Sequence, residues 1–125
     1  MPNILVIDDE HSIRESFSLI LEGLYNVTLA ASGEAGLKAV SSQKQDLVFL
    51  DCRMPGMNGL ETLKRIKEID SKPEVIMVTA VNDMQSAGEA IRLGARDYIG
   101  ANVLDGKNPY WIAAFVHKAD IPPLP

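Results

Sequence analysis

Three aspartates at the ends of two apolar runs give this chain a set of side chains suited to holding a cation. Asp8 and Asp9 follow the apolar residues 4–7, and Asp51 follows the apolar residues 47–50. Because the carboxyl ends of adjacent parallel strands open on one edge of a sheet, we expect the three carboxylates to meet there. Their mutual repulsion would raise the affinity for a proton or a cation. A hard divalent ion such as Mg2+, which prefers oxygen ligands, is the predicted occupant.

The elements that would position these aspartates are indicated by an alternation of short apolar runs and longer amphipathic segments. This pattern is typical of repeated strand–helix units that cover both faces of a parallel sheet. A helical crossover separates each strand from the next, so all strands can be parallel. The prediction is one α/β domain with a doubly wound, five-stranded parallel sheet. Its strands are expected at residues 3–8, 27–31, 47–51, 74–80 and 97–99.

Capping residues and glycines indicate where the helices begin and end. Ser32 is a plausible N-cap for the second helix, and Gly23 stands where a left-handed turn would follow the first. The loop of residues 52–59 contains one proline and two glycines, which predict a shaped turn before the third helix. A fourth helix, only modestly apolar and therefore a candidate contact surface, is expected at residues 83–93.

The end of the chain departs from this regularity. Asn108 could cap a last helix with Pro109 at its first position, followed by apolar residues at helical spacing. The proline-rich residues 121–125 cannot continue that helix, because proline lacks the backbone donor. We therefore predict a core over residues 1–100, an atypical loop with the last helix over residues 101–120, and a tail or linker over residues 121–125.

Composition limits the classes of function. With 125 residues, 46% of them hydrophobic, the chain can bury one core but not two. A formal net charge of −5 argues against direct binding to nucleic acid, which needs many Lys or Arg contacts with phosphates. One cysteine, Cys52, cannot form an intramolecular disulfide, and no export signal precedes the first apolar run, so a cytoplasmic location is expected. No apolar stretch approaches the roughly 20 residues that span a bilayer, so membrane insertion is not expected.

Four segments resemble the receiver domain of two-component response regulators. They occur in the family's order and with similar spacing, at residues 8–9, 51–59, 79–80 and 94–99. Each segment alone is a weak signal, but their succession is specific. The resemblance implies a flavodoxin-like topology, which agrees with the independent strand count. It also implies transfer of a phosphoryl group from the phosphohistidine of a partner kinase to one aspartate, with Mg2+ required.

The resemblance implies roles at the acidic edge. Asp51 would be the phosphoacceptor, and Asp9 with Asp51 would bind Mg2+ directly. Asp8 would hold the ion chiefly through water, and the backbone carbonyl of Arg53 would complete the protein ligands. These residue types suit the chemistry, because a carboxylate is a nucleophile at neutral pH and a divalent ion offsets its repulsion from a phosphoryl group.

The resemblance also implies a switch, and here the chain departs from the family. Thr79 would donate its hydroxyl to the phosphoryl group, and Tyr98 would change rotamer as the space around Thr79 changes. Three residues beyond the aromatic, receivers normally have a lysine and then a proline, where this chain has Ala101 and Asn102. Lys107 could reach back over the intervening loop. The departure bears on switching more than on metal binding.

Two functions follow from the resemblance. The leading hypothesis is a signalling domain, not a metabolic enzyme, that takes a phosphoryl group from a sensor histidine kinase or phosphotransfer protein. Its changed surface would be read by an effector domain or a partner protein. The alternative is a pseudo-receiver that serves only as an interaction domain because the lysine is replaced at Ala101. The apolar residues 110–115, tethered by a loop, are a candidate for exchange between two copies, which would give a homodimer.

Simpler interpretations remain open for single residues. Asp8 and Asp9 could be favourable charges at a helix N-terminus, Thr79 an ordinary β-branched strand residue, and Tyr98 an ordinary strand aromatic. Other phosphate chemistries on a similar sheet are disfavoured. Aspartyl hydrolases usually carry a second aspartate two residues after the first, where this chain has Arg53, and there is no Gly-rich loop ending in Gly-Lys-Ser/Thr.

Overall fold

The computed structural model of this chain describes residues 1–78, 84–99 and 111–118. Strands and helices alternate through these residues, as the sequence predicts. The strands are β1 (Asn3–Ile7), β2 (Asn26–Ala30), β3 (Leu47–Asp51), β4 (Glu74–Val78) and β5 (Asp97–Ile99). The helices are α1 (His11–Leu21), α2 (Gly33–Ser42), α3 (Gly59–Ile69), α4 (Met84–Arg92) and α5 (Trp111–Lys118).

Several predicted features lie outside the described residues. These are the end of the fourth strand with Thr79, the start of the fourth helix, the loop that carries Ala101 and Lys107, the Asn108–Pro109 cap, and the proline-rich tail. Within the described residues, β1 and β2 each end one residue before the predicted strand end. None of the helices there is both long and apolar enough to cross a membrane.

All five strands form one parallel sheet in the order β2-β1-β3-β4-β5. After β1 the chain moves outward to β2, and it then crosses back so that β3 lies on the other side of β1. Ligands of such sheets bind outside the carboxyl ends of the strands at this point of reversal. The register pairs Ile7 with Leu50, so the residues that follow them leave the sheet side by side.

Two apolar cores cover the faces of the sheet, because each strand alternates its side chains between them. On one face, α2, α3 and α4 pack against the first core. On the other, α1 and α5 pack against the second, where the rings of Phe17 and Phe49 have centroids 4.7 Å apart. Fully buried strand residues serve both cores: Leu5, Ile7, Val48, Leu50, Val75 and Met77 in the first, and Ile4, Val6, Leu47, Phe49 and Ile76 in the second.

The helix ends follow the predicted capping chemistry. The Ser32 hydroxyl accepts a hydrogen bond from the backbone N–H of Ala35 at 3.1 Å, which confirms Ser32 as the N-cap of α2. Gly23, after α1, has a φ of 86°, a conformation that favours glycine. The N-cap of α3 was not predicted. Asn58 fills that place, with its side-chain oxygen accepting from the N–H of Glu61 at 3.0 Å.

Candidate metal centre

Asp8, Asp9 and Asp51 meet at the carboxyl edge of the sheet. One carboxylate oxygen from each lies within 4.8 Å of the others. The pairing of β1 with β3 causes this meeting, because Asp8 follows Ile7 and Asp51 follows Leu50 in the shared register. Asp8 is buried, Asp51 is half-buried and Asp9 is exposed, so the cluster opens to solvent on one side.

Asp8, in the turn between β1 and α1, is held by hydrogen bonds at three of its atoms. Its backbone N–H donates to the carbonyl of Ala30 at 3.0 Å. Its carboxylate accepts from the N–H of Glu10 at 2.9 Å. Its backbone carbonyl accepts from Nη1 of Arg14 at 2.7 Å. The sequence pattern did not predict this role of Arg14, although a cation one helical turn into α1 is a signal that could have indicated it.

The loop after β3 holds Asp51. Arg53 donates its backbone N–H to the Asp51 carboxylate at 3.3 Å, so this carboxylate is oriented by its own loop. Cys52 donates its N–H to the Val78 carbonyl at 2.9 Å, and its own carbonyl accepts from Gly59 at 3.0 Å. The first residue of α3 is therefore hydrogen-bonded to the residue next to Asp51.

Burial and mutual repulsion make protons more tightly held at this edge. Burial raises the pKa of Asp8 from 3.8 to about 6, partly offset by the hydrogen bond from Glu10. Burial, followed by the charge of Asp8, raises the pKa of Asp51 to about 7. A cation that replaced these protons would relieve both desolvation and repulsion.

The donor set fits Mg2+. All three groups are carboxylates, which are the hard oxygen ligands that this ion prefers, and the exposed side leaves room for the water molecules it retains. Cys52 is 7% exposed, as expected for a small buried apolar group. The Met54 side chain is also buried in the loop, and thioethers are poor ligands for a hard ion.

The two predicted switch residues, Tyr98 and Thr79, are not part of the aspartate cluster that the structure describes. Tyr98 lies half-buried on β5, two strands from β3, and packs against the first core on the side of α2, α3 and α4. Thr79 follows the last described residue of β4 and lies outside the described part of the chain. Beside the acidic edge, a cavity of about 450 Å³ separates the loop after β3 from α4, lined by Cys52, Arg53, Met54, Pro55, Asn58, Leu60 and Ser86.

Comparison with known proteins gives one family. Residues 4–102 match the family model described as the response regulator receiver domain. The chain is 41% identical over 101 residues to the transcriptional regulatory protein AfsQ1 of Streptomyces coelicolor, a match that covers 79% of this chain and 44% of that protein. It is 40% identical over 94 residues to the sporulation initiation phosphotransferase F of Bacillus subtilis, covering 74% of this chain and 75% of that protein.

A solved structure supports the same fold. The CheY-like response regulator receiver domain protein from Methanospirillum hungatei JF-1 has a TM-score of 0.84 with this chain at 28% sequence identity. The match covers 96% of this chain and 94% of the other. The match spans less than half the length of the Streptomyces relative.

Proposed function

Since this chain belongs to the response regulator receiver domain family, we propose that it accepts a phosphoryl group on Asp51 from a sensor histidine kinase or a phosphotransfer protein. One observation carries the proposal: the Asp51 carboxylate shares the carboxyl edge of the sheet with Asp8 and Asp9, within 4.8 Å. The name of the Bacillus relative, a phosphotransferase, agrees with this chemistry.

The transfer would be a displacement at phosphorus. An oxygen of the Asp51 carboxylate forms a bond to phosphorus while the bond from phosphorus to the imidazole nitrogen of the donor breaks. The nitrogen leaves with the bonding electrons, and the product is an acyl phosphate. Asp51 must be ionised to act, and the N–H of Arg53 orients one of its oxygens, leaving the other for attack.

Asp9 and Asp51 would hold Mg2+ directly, Asp8 would hold it through water, and the carbonyl of Arg53 would add a further ligand. When bound, the ion would neutralise the charge that builds up between the carboxylates and the phosphoryl oxygens. Asp8 would contribute to Mg2+ binding by being held in position, since its backbone and side chain are already hydrogen-bonded without a ligand.

Phosphorylation would then change a surface. Receiver domains are signalling domains that act with kinases, phosphotransfer proteins and effector domains. In this chain, Thr79 would contact the phosphoryl group, and Tyr98 on β5 would respond, altering the side of the sheet that α4 covers. We propose that residues 1–100 form the receiver core, that the protein works in the cytoplasm, and that an effector domain or partner protein reads the change.

The test is phosphoryl labelling followed by intact-mass measurement. The protein is incubated with Mg2+ and acetyl phosphate, a small-molecule donor that needs no kinase, in parallel with Asp51→Asn. We expect one added phosphoryl group in the wild type and none in the variant. Labelling of folded Asp51→Asn would refute the acceptor assignment. No labelling of the folded wild type would contradict phosphoacceptor function and favour a pseudo-receiver.

A further inference from the structure

Arg14 is a half-buried cation whose guanidinium is hydrogen-bonded to the backbone beside the acidic edge. It lies in the first turn of α1, which begins at His11. Its Nη1 donates to the carbonyl oxygen of Asp8 at 2.7 Å. Its own backbone N–H donates to the carbonyl of Glu10 at 3.2 Å. Within the part of the chain that the structure describes, Arg14 forms no ion pair with a carboxylate within 4.0 Å.

This contact opposes the repulsion at the edge. The carboxylates of Asp8, Asp9 and Asp51 repel one another when ionised, and that repulsion pushes the β1–α1 turn away from β3. The turn has no regular strand pairing beyond Ile7, so its position depends on the few hydrogen bonds made by Asp8. The side-chain bond from Arg14 ties Asp8 itself to α1, in addition to the backbone bond from Arg14 to Glu10. A charged donor makes a stronger hydrogen bond than a neutral one.

We propose that Arg14 is a positioning residue for the acidic edge, holding the β1–α1 turn so that Asp8 and Asp9 face Asp51 at a distance that one divalent cation can bridge. The inference rests on the proposed function and deepens it. Arg14 would have this role without being a ligand of the ion. It acts through the Asp8 carbonyl, as groups outside the direct ligands of a metal commonly do.

A positioning role and a purely electrostatic role of Arg14 predict opposite effects of its removal on Mg2+ binding. If Arg14 acted only as a nearby positive charge, its removal would leave the edge more negative and would tighten Mg2+ binding. If Arg14 positions the ligands, its removal lets the turn move and weakens Mg2+ binding. The sign of the change in the dissociation constant therefore separates the two roles.

The experiment measures the Mg2+ dissociation constant of the whole chain by isothermal titration calorimetry. Arg14→Met removes the charge and the donor while keeping most of the apolar stem, and Arg14→Gln is a second neutral replacement too short to reach the carbonyl. Arg65→Met is the matched control, because Arg65 pairs with Glu61 on the exposed surface of α3. We expect both Arg14 variants to weaken Mg2+ binding by about 10-fold, and Arg65→Met to leave it unchanged.

The Mg2+ affinities of the variants and of the wild type separate the positioning role from the proposed function. Unchanged or tighter binding in a folded Arg14 variant overturns the positioning role while the proposed function stands. No Mg2+ binding by the wild type would instead refute the metal site itself. If Arg14→Met fails to fold, Arg14→Gln decides by the same criterion. If neither folds, the proposal is overturned, because Arg14 would then hold the domain together instead of adjusting its acidic edge.

Discussion

Gly59, the first residue of α3, lies directly against the backbone of Asp51. A Cβ atom added at Gly59 would overlap the carbonyl oxygen of Asp51 and would sit 2.6 Å from the Cα of Cys52. The Gly59 N–H also donates to the Cys52 carbonyl at 3.0 Å. Helix α3 therefore starts in contact with the end of β3, at a distance that only glycine allows.

Gly59→Ala should disturb the loop that follows Asp51. The added methyl group meets backbone atoms that cannot rotate away, so β3 and α3 must separate. We expect a loss of about 1–3 kcal/mol in the free energy of unfolding, together with slower labelling of Asp51 by acetyl phosphate. Urea denaturation and intact-mass time courses measure the two effects.

Gly88→Ala is the control for that substitution. Gly88 lies in α4, and no atom of the described residues comes within 4 Å of a Cβ added there. Alanine should therefore stabilise the helix by about 0.5–1 kcal/mol and leave labelling unchanged. If Gly59→Ala behaves like Gly88→Ala, the contact between α3 and β3 affects neither stability nor labelling.

The metal-free protein should become less stable as the pH rises. Folding raises the pKa of Asp8 from 3.8 to about 6 and that of Asp51 to about 7, so the folded state binds these protons more tightly than the unfolded chain. Their stabilising effect is complete below about pH 4 and is lost as the pH passes 6 and 7. We expect the urea midpoint in EDTA to fall between pH 5 and pH 8.

Asp51→Asn tests the cause of that fall. The amide cannot ionise, so the variant should lose less stability over the same range and should exceed the wild type at pH 8. A wild-type midpoint that rises from pH 5 to pH 8 would contradict the inferred crowding of the carboxylates.

Mg2+ should reverse this loss at neutral pH. A ligand that binds only the folded state stabilises it by about 2.7 kcal/mol at 100 times its dissociation constant. Asp9→Ala removes an exposed carboxylate of the cluster and should abolish most of the gain, although it relieves repulsion without the ion. Thermal melts with Mg2+ or EDTA give the difference.

Glu68→Ala controls for the charge removed in Asp9→Ala, because Glu68 is exposed on α3. Its Mg2+-dependent gain should equal that of the wild type. An equal gain in Asp9→Ala would show that Mg2+ binds elsewhere.

Gln45 should be replaceable by leucine with a gain in stability. Its side chain is 1% exposed, and neither amide atom has a hydrogen-bond partner among the described residues. Such groups cost about 1–3 kcal/mol when buried. Gln45→Leu should therefore raise the free energy of unfolding by about 1 kcal/mol or more, as measured by urea denaturation.

Gln43→Leu is the matched control, because Gln43 is exposed two residues earlier. It should change stability little. If Gln45→Leu destabilises the domain, the amide has partners that matter to the fold.

The fold could be predicted because its signals are local. Each strand is a short apolar run, each helix has an apolar stripe, and Ser32 is recognisable as the N-cap of α2. The meeting of Asp8 with Asp51 followed from one added rule, that parallel strands end on a common edge. β1 ends one residue before the predicted end, at the point where the Asp8 carboxylate accepts a hydrogen bond from the N–H of Glu10.

The rest depends on contacts between residues distant in sequence. The sequence alone does not show that Gly59 touches Asp51, that Arg14 points back to the Asp8 carbonyl, or that Gln45 is buried. Each of these features depends on how one helix or strand is placed against its neighbour. Amphipathic patterns specify which face is buried, but they do not specify what each polar group meets there.

The pairing of β1 with β3 sets when the acidic edge can form. The two strands are neighbours in the sheet, yet α1, β2 and α2 lie between them in sequence. A loop of that length must close before the acidic edge exists, and the closure delays such contacts during folding. A chain emerging from the ribosome would carry Asp8 and Asp9 early, but it could not form the acidic edge until β3 had emerged and joined β1.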